Sequence, residues 1–400
     1  MSLDFQQVRE QIKALGQNLT QQSQGLRERR LKAETLLAEK AIAYDWLRQR
    51  VQKVVHFYDP NLRCALPRQE DPEPLDARFP LPPALERATI LAADGSQISP
   101  DRHSEVNYCL INVGAIQMSL GNAETPKVTV SSKLIFGEEL ITPSGVRTEQ
   151  QLALERDIYE RSQLVALAET APAPVVSFTD GPMELWGAMD GTQGDSYQVS
   201  LARYQEVLER LRQLHVAAAG YVDKPAANLV VRLLEVADAP EERLAEVKHE
   251  MPLLGVTDRH LFSKILRPGE RSAVFAIQSR SALQYRPEFK IHFFYLNVGS
   301  DGRPWLARVE IPAWVAMDAV LLDLLHAALV QQARILGAGA YPYILHRAHE
   351  AAVVTFEEKD QVTQMIIREL RSRGVEVDEV SHKQALKNQP GRASFYLRPK

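Results

Sequence analysis

The chain has 400 residues, of which 45% are hydrophobic and 24% charged, and its formal net charge is -4. Such a length suits two domains, or one enlarged domain with appendages, and no apolar run is long enough for a membrane-spanning helix. The first thirty residues are polar, so no secretory leader is expected, and two cysteines (Cys64 and Cys109) exclude a disulfide framework or a cysteine zinc site. A cytoplasmic setting fits.

Residues 1–57 read as helix: Phe5, Val8, Ile12, Leu15 and Leu19 step by three and four, and Leu31, Leu36, Leu37 and Ala41 continue after Gly25. The surface between them is Gln, Arg and Glu, which suggests a helical arm, hairpin or short coiled coil. Residues 58–84 are rich in proline and charge and read as a linker. Residues 85–380 then form the main domain. Strand-like runs lie at 88–93, 106–118, 128–136 and 175–179, with helices over 146–169 and 197–218. Helices near 226–236 and 257–266 follow, then strands at 273–277, 291–297 and 305–311. A helix over 315–336 stops at Gly337 and Gly339, another starts near Tyr343, and 361–372 is the last. This order predicts a mixed α/β sheet flanked by helices. Residues 1–55 hold ten Lys/Arg against six Asp/Glu, and the tail 381–400 holds five Lys/Arg and no acid. Basic ends on an acidic body suit a polyanion at the periphery, and solvated tails account for the charges equally well.

Two strands run into Asp-Gly: ILAADGS at Asp94 and VVSFTDGP at Asp180. Either alone is an ordinary turn signal, but two strand ends bearing acids could bring hard oxygen ligands to one sheet edge. On the helix before Asp180, Glu155 and Glu160 compete for a third carboxylate. Glu160 shares its face with Ala153, Leu164 and Leu167, whereas Glu155 lies with Gln151, Tyr159 and Ser162, so Glu160 is preferred. A salt bridge from Glu160 to Arg156 is the structural alternative. In GAYPYILHRAHEAAV, Pro342 suits a first helical turn, Tyr341 precedes it, and His349 shares a face with Leu345, Ala352 and Val353 and so points inward; His346 lies nearer Glu350. Acids with one histidine suit Mn²⁺ or Mg²⁺ rather than structural zinc. No Walker, GxSxG or GxGxxG sequence occurs, which excludes ATP hydrolysis by a P-loop.

The ordered set AADGS, Arg156-x-x-x-Glu160, TDGP followed by LW, GYVDKPAANLVVRLL, TDRHLFSKILRPGERS, FFYLN, ARVEIPAWVA and GAYPYILHRAHEAAV resembles the NurA nuclease family over residues 85–360. The resemblance implies an RNase H-like core and a Mn²⁺-dependent nuclease on DNA, with single-strand endonuclease and 5′→3′ exonuclease activities. It also implies a homodimer that resects DNA ends with HerA, a hexameric ATPase. Matched residue by residue, Asp94, Glu160 and Asp180 correspond to the acidic metal ligands, and Tyr341 and His349 to the late residues of the active site. Lys224, Lys264, Arg267 and Arg271 are candidate phosphate contacts. A non-catalytic adaptor of the ATPase and an RNA-cleaving enzyme are the competing readings.

Overall fold

The computed structural model describes residues 3–101, 106–142, 145–187, 192–337 and 340–375, with the side chains of 14–22 and 192–195 left aside. Gly339 and the basic tail 381–400 lie outside the described residues. In chain order the elements are α1 (Phe5–Glu39), α2 (Tyr44–Phe57), β1 (Cys64–Pro67), β2 (Arg78–Phe79), β3 (Ala88–Ile98), β4 (Tyr108–Leu120), β5 (Lys127–Phe136), β6 (Ile141–Thr142), β7 (Gly145–Val146), α3 (Glu149–Ala168), β8 (Val175–Asp180), α4 (Thr192–Gln213) and β9 (Ala217–Val222). There follow α5 (Leu229–Asp238), α6 (Asp258–Ile265), β10 (Arg271–Ser272), β11 (Phe275–Gln278), β12 (Ile291–Asn297), β13 (Leu306–Pro312), α7 (Ala313–Ala316), α8 (Ala319–Ile335), α9 (Tyr343–Ala352) and α10 (Phe356–Ser372). The chain divides into two compact units. The first comprises Met1–Ile90, Ala173–Glu184 and Leu211–Tyr343; the second comprises Leu91–Pro172, Leu185–Arg210 and Ile344–Lys400.

In the first unit the strands run in the order β1-β11-β12-β13-β9-β8, with β10 beside β12 and β2. The pair β8–β9 is parallel and the pairs from β9 to β1 are antiparallel. Strands β12 and β13 are buried along their whole length, and Phe262, Phe275, Phe293 and Tyr295 make a contiguous aromatic core. Helix α5 is buried nearly all round, and its buried Arg232 and Glu235 pair with each other at 2.8 Å, as charges inside a core must. The residues expected to form a linker instead build the sheet, since β1 adds to its edge and β2 pairs β10. The N-terminal helices bind this unit: Lys32 pairs Asp238 at 2.6 Å and Arg50 Nε donates to the Val236 carbonyl at 2.8 Å. Phe5 and Ile12, near the start of α1, are exposed.

In the second unit β4 and β5 form a long antiparallel pair from Tyr108↔Phe136 to Gln117↔Lys127. Helix α3 starts at a capping box made by Thr148 and Gln151 and packs on β4. Helix α10 covers a small core of Ile98, Val106, Tyr108, Leu110 and Ile367. Three consecutive strands here and the parallel β8–β9 pair in the first unit are the ingredients of the RNase H-like mixed α/β class the sequence implied. Among the described residues no helix is long and apolar enough to cross a membrane.

Two expected helices are corrected. The helix expected over 197–218 ends at Gln213, and Ala217 and Ala218 instead open β9, because a parallel sheet position overrides the helical propensity of alanine. The expected helix at 315–336 is split at Asp318, whose side chain accepts from the Val320 and Leu321 amides and starts α8 afresh.

Candidate active site

In the second unit, α9 is seated against β3 and β4 at its C-terminal end. The Ala352 carbonyl accepts from Ser96 Oγ and, at 2.9 Å, from Asn112 Nδ2. Gly114 makes the approach possible, since a Cβ there would lie 2.6 Å from the Ala352 nitrogen and 2.7 Å from the Ala348 oxygen. Seating α9 this way sets His349 beside Asp94, with Nδ1 2.7 Å from Asp94 Oδ2. The other carboxylate oxygen accepts the Gly95 amide at 2.8 Å. Two sequence expectations change here. Asp94 is not at a strand end: β3 continues to Ile98, and Asp94-Gly95 falls where the strand passes from buried to half-buried positions. Nor does His349 point inward. Ile344, Leu345, Ala348 and Ala352 form the buried face of α9, and the His349 side chain at its border is 64% exposed. His346 pairs Glu350 at 3.6 Å in solvent. A carboxylate on Nδ1 fixes the imidazole and leaves Nε2 available to a ligand or proton.

Glu160 is buried on α3 and lies against the Asp94-Gly95 stretch, where a Cβ on Gly95 would come within 2.6 Å of Glu160 Oε1. Arg156 Nε stands 3.3 Å from Oε1 and Arg161 4.0 Å from Oε2, so the alternative partner Arg156 is present. Burial, with Asp157 and Asp94 close by, pushes the Glu160 carboxyl up to about 8 against the opposing pull of Arg161 and Arg156. Asp157 is a participant the sequence reading passed over, and its place one residue after Arg156 was the available signal. Glu155 is buried too, contrary to the polar face assigned to it, but its carboxylate is fully engaged. Arg203 grips both oxygens at 2.8 and 3.2 Å and Lys133 adds 2.8 Å. Burial raises its pKa, and these cations overcome that and hold it at about 2.

In the first unit, β8 does end on Asp180, which is exposed, and Gly181 follows with φ +86°. The Gly181 amide donates to the Tyr221 carbonyl at 2.8 Å, and Asp180 is in register with Tyr221. Gly220 must lack a Cβ, which would otherwise sit 2.6 Å from the Gly181 oxygen. Beyond the turn, Glu310 Oε2 accepts from the Met183 amide at 2.9 Å while Arg308 neutralises its other oxygen. Tyr341 is half-buried and meets Tyr221 edge to face at 5.6 Å. The Tyr221 hydroxyl is buried and has no hydrogen-bond partner among the described residues, and burial, with Asp223 and Asp180 nearby, raises its pKa. Sequence reasoning missed Tyr221 because it falls beyond the expected helix end at 218, in a stretch where no strand was expected.

The four candidate phosphate contacts divide. Arg271 is removed from the set: it is buried, lies over Phe79 and holds Glu73 at 3.2 and 3.3 Å. Lys264 pairs Glu34 at 2.6 Å, Arg267 is exposed, and Lys224 lies 4.2 Å over the Trp305 ring.

Among the described residues no three His, Cys, Asp or Glu side chains already converge as a cage. The donor chemistry of the Asp94–Glu160–His349 cluster nevertheless fits a hard divalent cation. A buried carboxyl held protonated up to about 8 by burial and like charge would be relieved by one.

A sequence model of the NurA domain matches residues 88–354. No curated protein shows significant similarity to the chain. Among solved structures, the NurA nuclease from Sulfolobus solfataricus aligns at 12% identity and TM-score 0.44, covering 82% of this chain and 92% of that one. The catalytic domain of human Endonuclease V aligns at 16% identity and TM-score 0.30, over 72% and 85%. Drosophila Piwi aligns at 12% and 0.29, over 66% and 29%. The family therefore rests on the sequence match.

Proposed function

The chain belongs to the NurA family, and from that premise we propose that it is a Mn²⁺-dependent deoxyribonuclease, with Mg²⁺ as a substitute. On this reading it cuts single strands internally and degrades 5′→3′, resecting DNA ends in double-strand break repair as a homodimer with a HerA-type hexameric ATPase. The observation that carries the proposal is the Asp94–His349 pair with Glu160 packed against the same stretch of β3.

Asp94, Glu160 and His349 would hold the cation, which when bound supplies positive charge to the scissile phosphate and acidifies water. Asp94 also orients His349 through Nδ1, so that Nε2 is either its ligand atom or, when not ligating, the nitrogen that carries a proton toward the leaving oxygen. Asp180 and Tyr341 are assigned to the same chemistry by their motifs. The Gly181 turn presents the Asp180 carboxylate to solvent, and Tyr341, braced on Tyr221, offers a hydroxyl to a phosphate or a water.

The test is cleavage of labelled single-stranded DNA by the pure protein in Mn²⁺, Mg²⁺ or EDTA, alone and with the ATPase. Cleavage in Mn²⁺ that EDTA abolishes is the expected result. No cleavage of DNA under any condition, or preference for RNA, would reject the deoxyribonuclease reading. Light scattering and co-purification test the dimer and the ATPase partnership.

A further inference from the structure

A cavity of about 330 Å³ opens in the first unit between the start of α6 and the loop before β13, lined by Lys224, Arg259, His260, Ser263 and Trp305. Several arginines of the unit, Arg50, Arg271 and Arg308 among them, hold a carboxylate, but among the described residues neither Lys224 nor Arg259 has a carboxylate partner. Lys224 lies over Trp305, and the indole N–H donates to Asp223 at 2.7 Å, which fixes the ring and engages the adjacent acid. Arg30 Nη2 stands 2.7 Å from His260 Nε2, adding a third cation behind the imidazole. The next acid, Asp258, is buried and engaged by the Val230 and Val231 amides and the Tyr295 hydroxyl. A cavity with two uncompensated cations, a hydroxyl and a fixed aromatic wall is built for a phosphate that carries something flat.

Its position follows from the sheet. Strands β8 and β9 are parallel and Asp180 is in register with Tyr221, so both chains leave the sheet at one edge. Lys224 follows Tyr221 by three residues, at most about 10 Å of chain. A strand held at Asp180 can therefore reach the cavity.

We propose that this cavity is a nucleotide subsite: Lys224 and Arg259 bind one phosphate of a single nucleic-acid strand, and Trp305 walls the attached sugar or base. The proposal rests on the nuclease reading for its choice of ligand. The phosphate is either an internal diester or a terminal monoester, and the two are told apart by the probe.

The experiment is fluorescence anisotropy of the full-length protein in EDTA with oligothymidylates bearing a 5′-phosphate, a 5′-hydroxyl or a 3′-phosphate, over a salt series. The variants are Arg259→Gln, Lys224→Asn and Trp305→Leu; Asn is chosen because Lys224 has φ +43°. Arg259→Gln and Lys224→Asn should each weaken binding roughly tenfold, the loss of one charge-assisted contact. Each should also flatten the log–log salt slope by about 0.7, one phosphate's share on single strands. Trp305→Leu should weaken binding with the slope unchanged. Losses confined to one phosphorylated probe identify a terminal phosphate, and equal losses on all three an internal one. Wild-type affinity and slope in both cation variants, with melting temperatures intact, would overturn the subsite. Binding in EDTA is independent of cleavage. A protein that binds this way but never cuts removes the nuclease reading alone, and one that cuts DNA while both variants bind normally removes the subsite alone.

Discussion

Replacing Glu155 and Glu160 in turn by Gln separates two carboxylates that lie five residues apart on one helix. Glu155 is gripped by Arg203 and Lys133, and its pKa falls from 4.5 to about 2. At 1.36 kcal/mol per unit this sets an upper bound of about 3 kcal/mol on its contribution to stability. The side chains of Arg203 and Lys133 are 49% and 41% exposed, so solvent screening reduces the expected value to about 1–2 kcal/mol. A carboxylate with a lowered folded-state pKa stabilises above its unfolded value and loses that contribution as pH falls. The difference between wild type and Glu155→Gln should therefore be full at pH 7, shrink below about 4.5 and vanish near 2. Urea melts across that range read it directly. Cleavage should follow the opposite ranking: Glu160→Gln, which changes the carboxyl packed on Gly95, should abolish it, and Glu155→Gln should keep most of it. Equal stability of Glu155→Gln and wild type at pH 7 would refute the ion-pair reasoning. A nuclease-dead Glu155→Gln beside an active Glu160→Gln would refute the site.

Asp94→Ala and Asp180→Ala should each abolish Mn²⁺-dependent cleavage with the fold intact, checked by circular dichroism and single-turnover assay. His349→Ala should slow cleavage by about 10²–10⁴-fold while DNA affinity stays near wild type, since binding depends on Lys and Arg. His346→Ala, which loses only a solvent-exposed pair with Glu350, is the control and should cleave normally. Tyr341→Phe should cost less than His349→Ala, because the edge contact with Tyr221 survives and only the hydroxyl is lost.

Periodicity located most helices and strands because burial of one face is a local property of sequence. The same rule put His349 on the inner face of α9, but the decisive neighbour is Asp94, 255 residues away. Glu160 could be preferred over Glu155 from helix geometry, yet both are buried, and what distinguishes them is Arg203 and Lys133 from elsewhere in the chain. Arg271 read as a phosphate contact for want of any sign that Glu73 and Phe79 enclose it. The proline-rich stretch read as linker because edge strands as short as β1 and β2 leave no alternating pattern. Each miss is a tertiary partner, and partners distant in sequence leave no period to read.

The two Asp-Gly pairs look alike as text and differ in what they ask of glycine, which yields a last prediction. Gly181 has φ +86°, and a Cβ there would meet nothing within 4 Å, so its requirement is conformational. Gly95 has no such backbone, but a Cβ there would lie 2.6 Å from Glu160 Oε1 and 2.7 Å from Arg156 Cγ, so its requirement is space. Asparagine tolerates the left-handed region better than other side chains and is larger than alanine. Gly181→Asn should therefore retain more stability and cleavage than Gly181→Val, with a gap of about 1–2 kcal/mol. At position 95 size alone should matter: Gly95→Ala should cut activity at least about tenfold by displacing Glu160, and Gly95→Asn should do more harm, not less. Thermal melts and single-turnover cleavage of the four variants give the two rankings. If Asn outperformed Ala at position 95, Glu160 would not be packed on that backbone, and the geometry supporting the carboxylate cluster would fail with it.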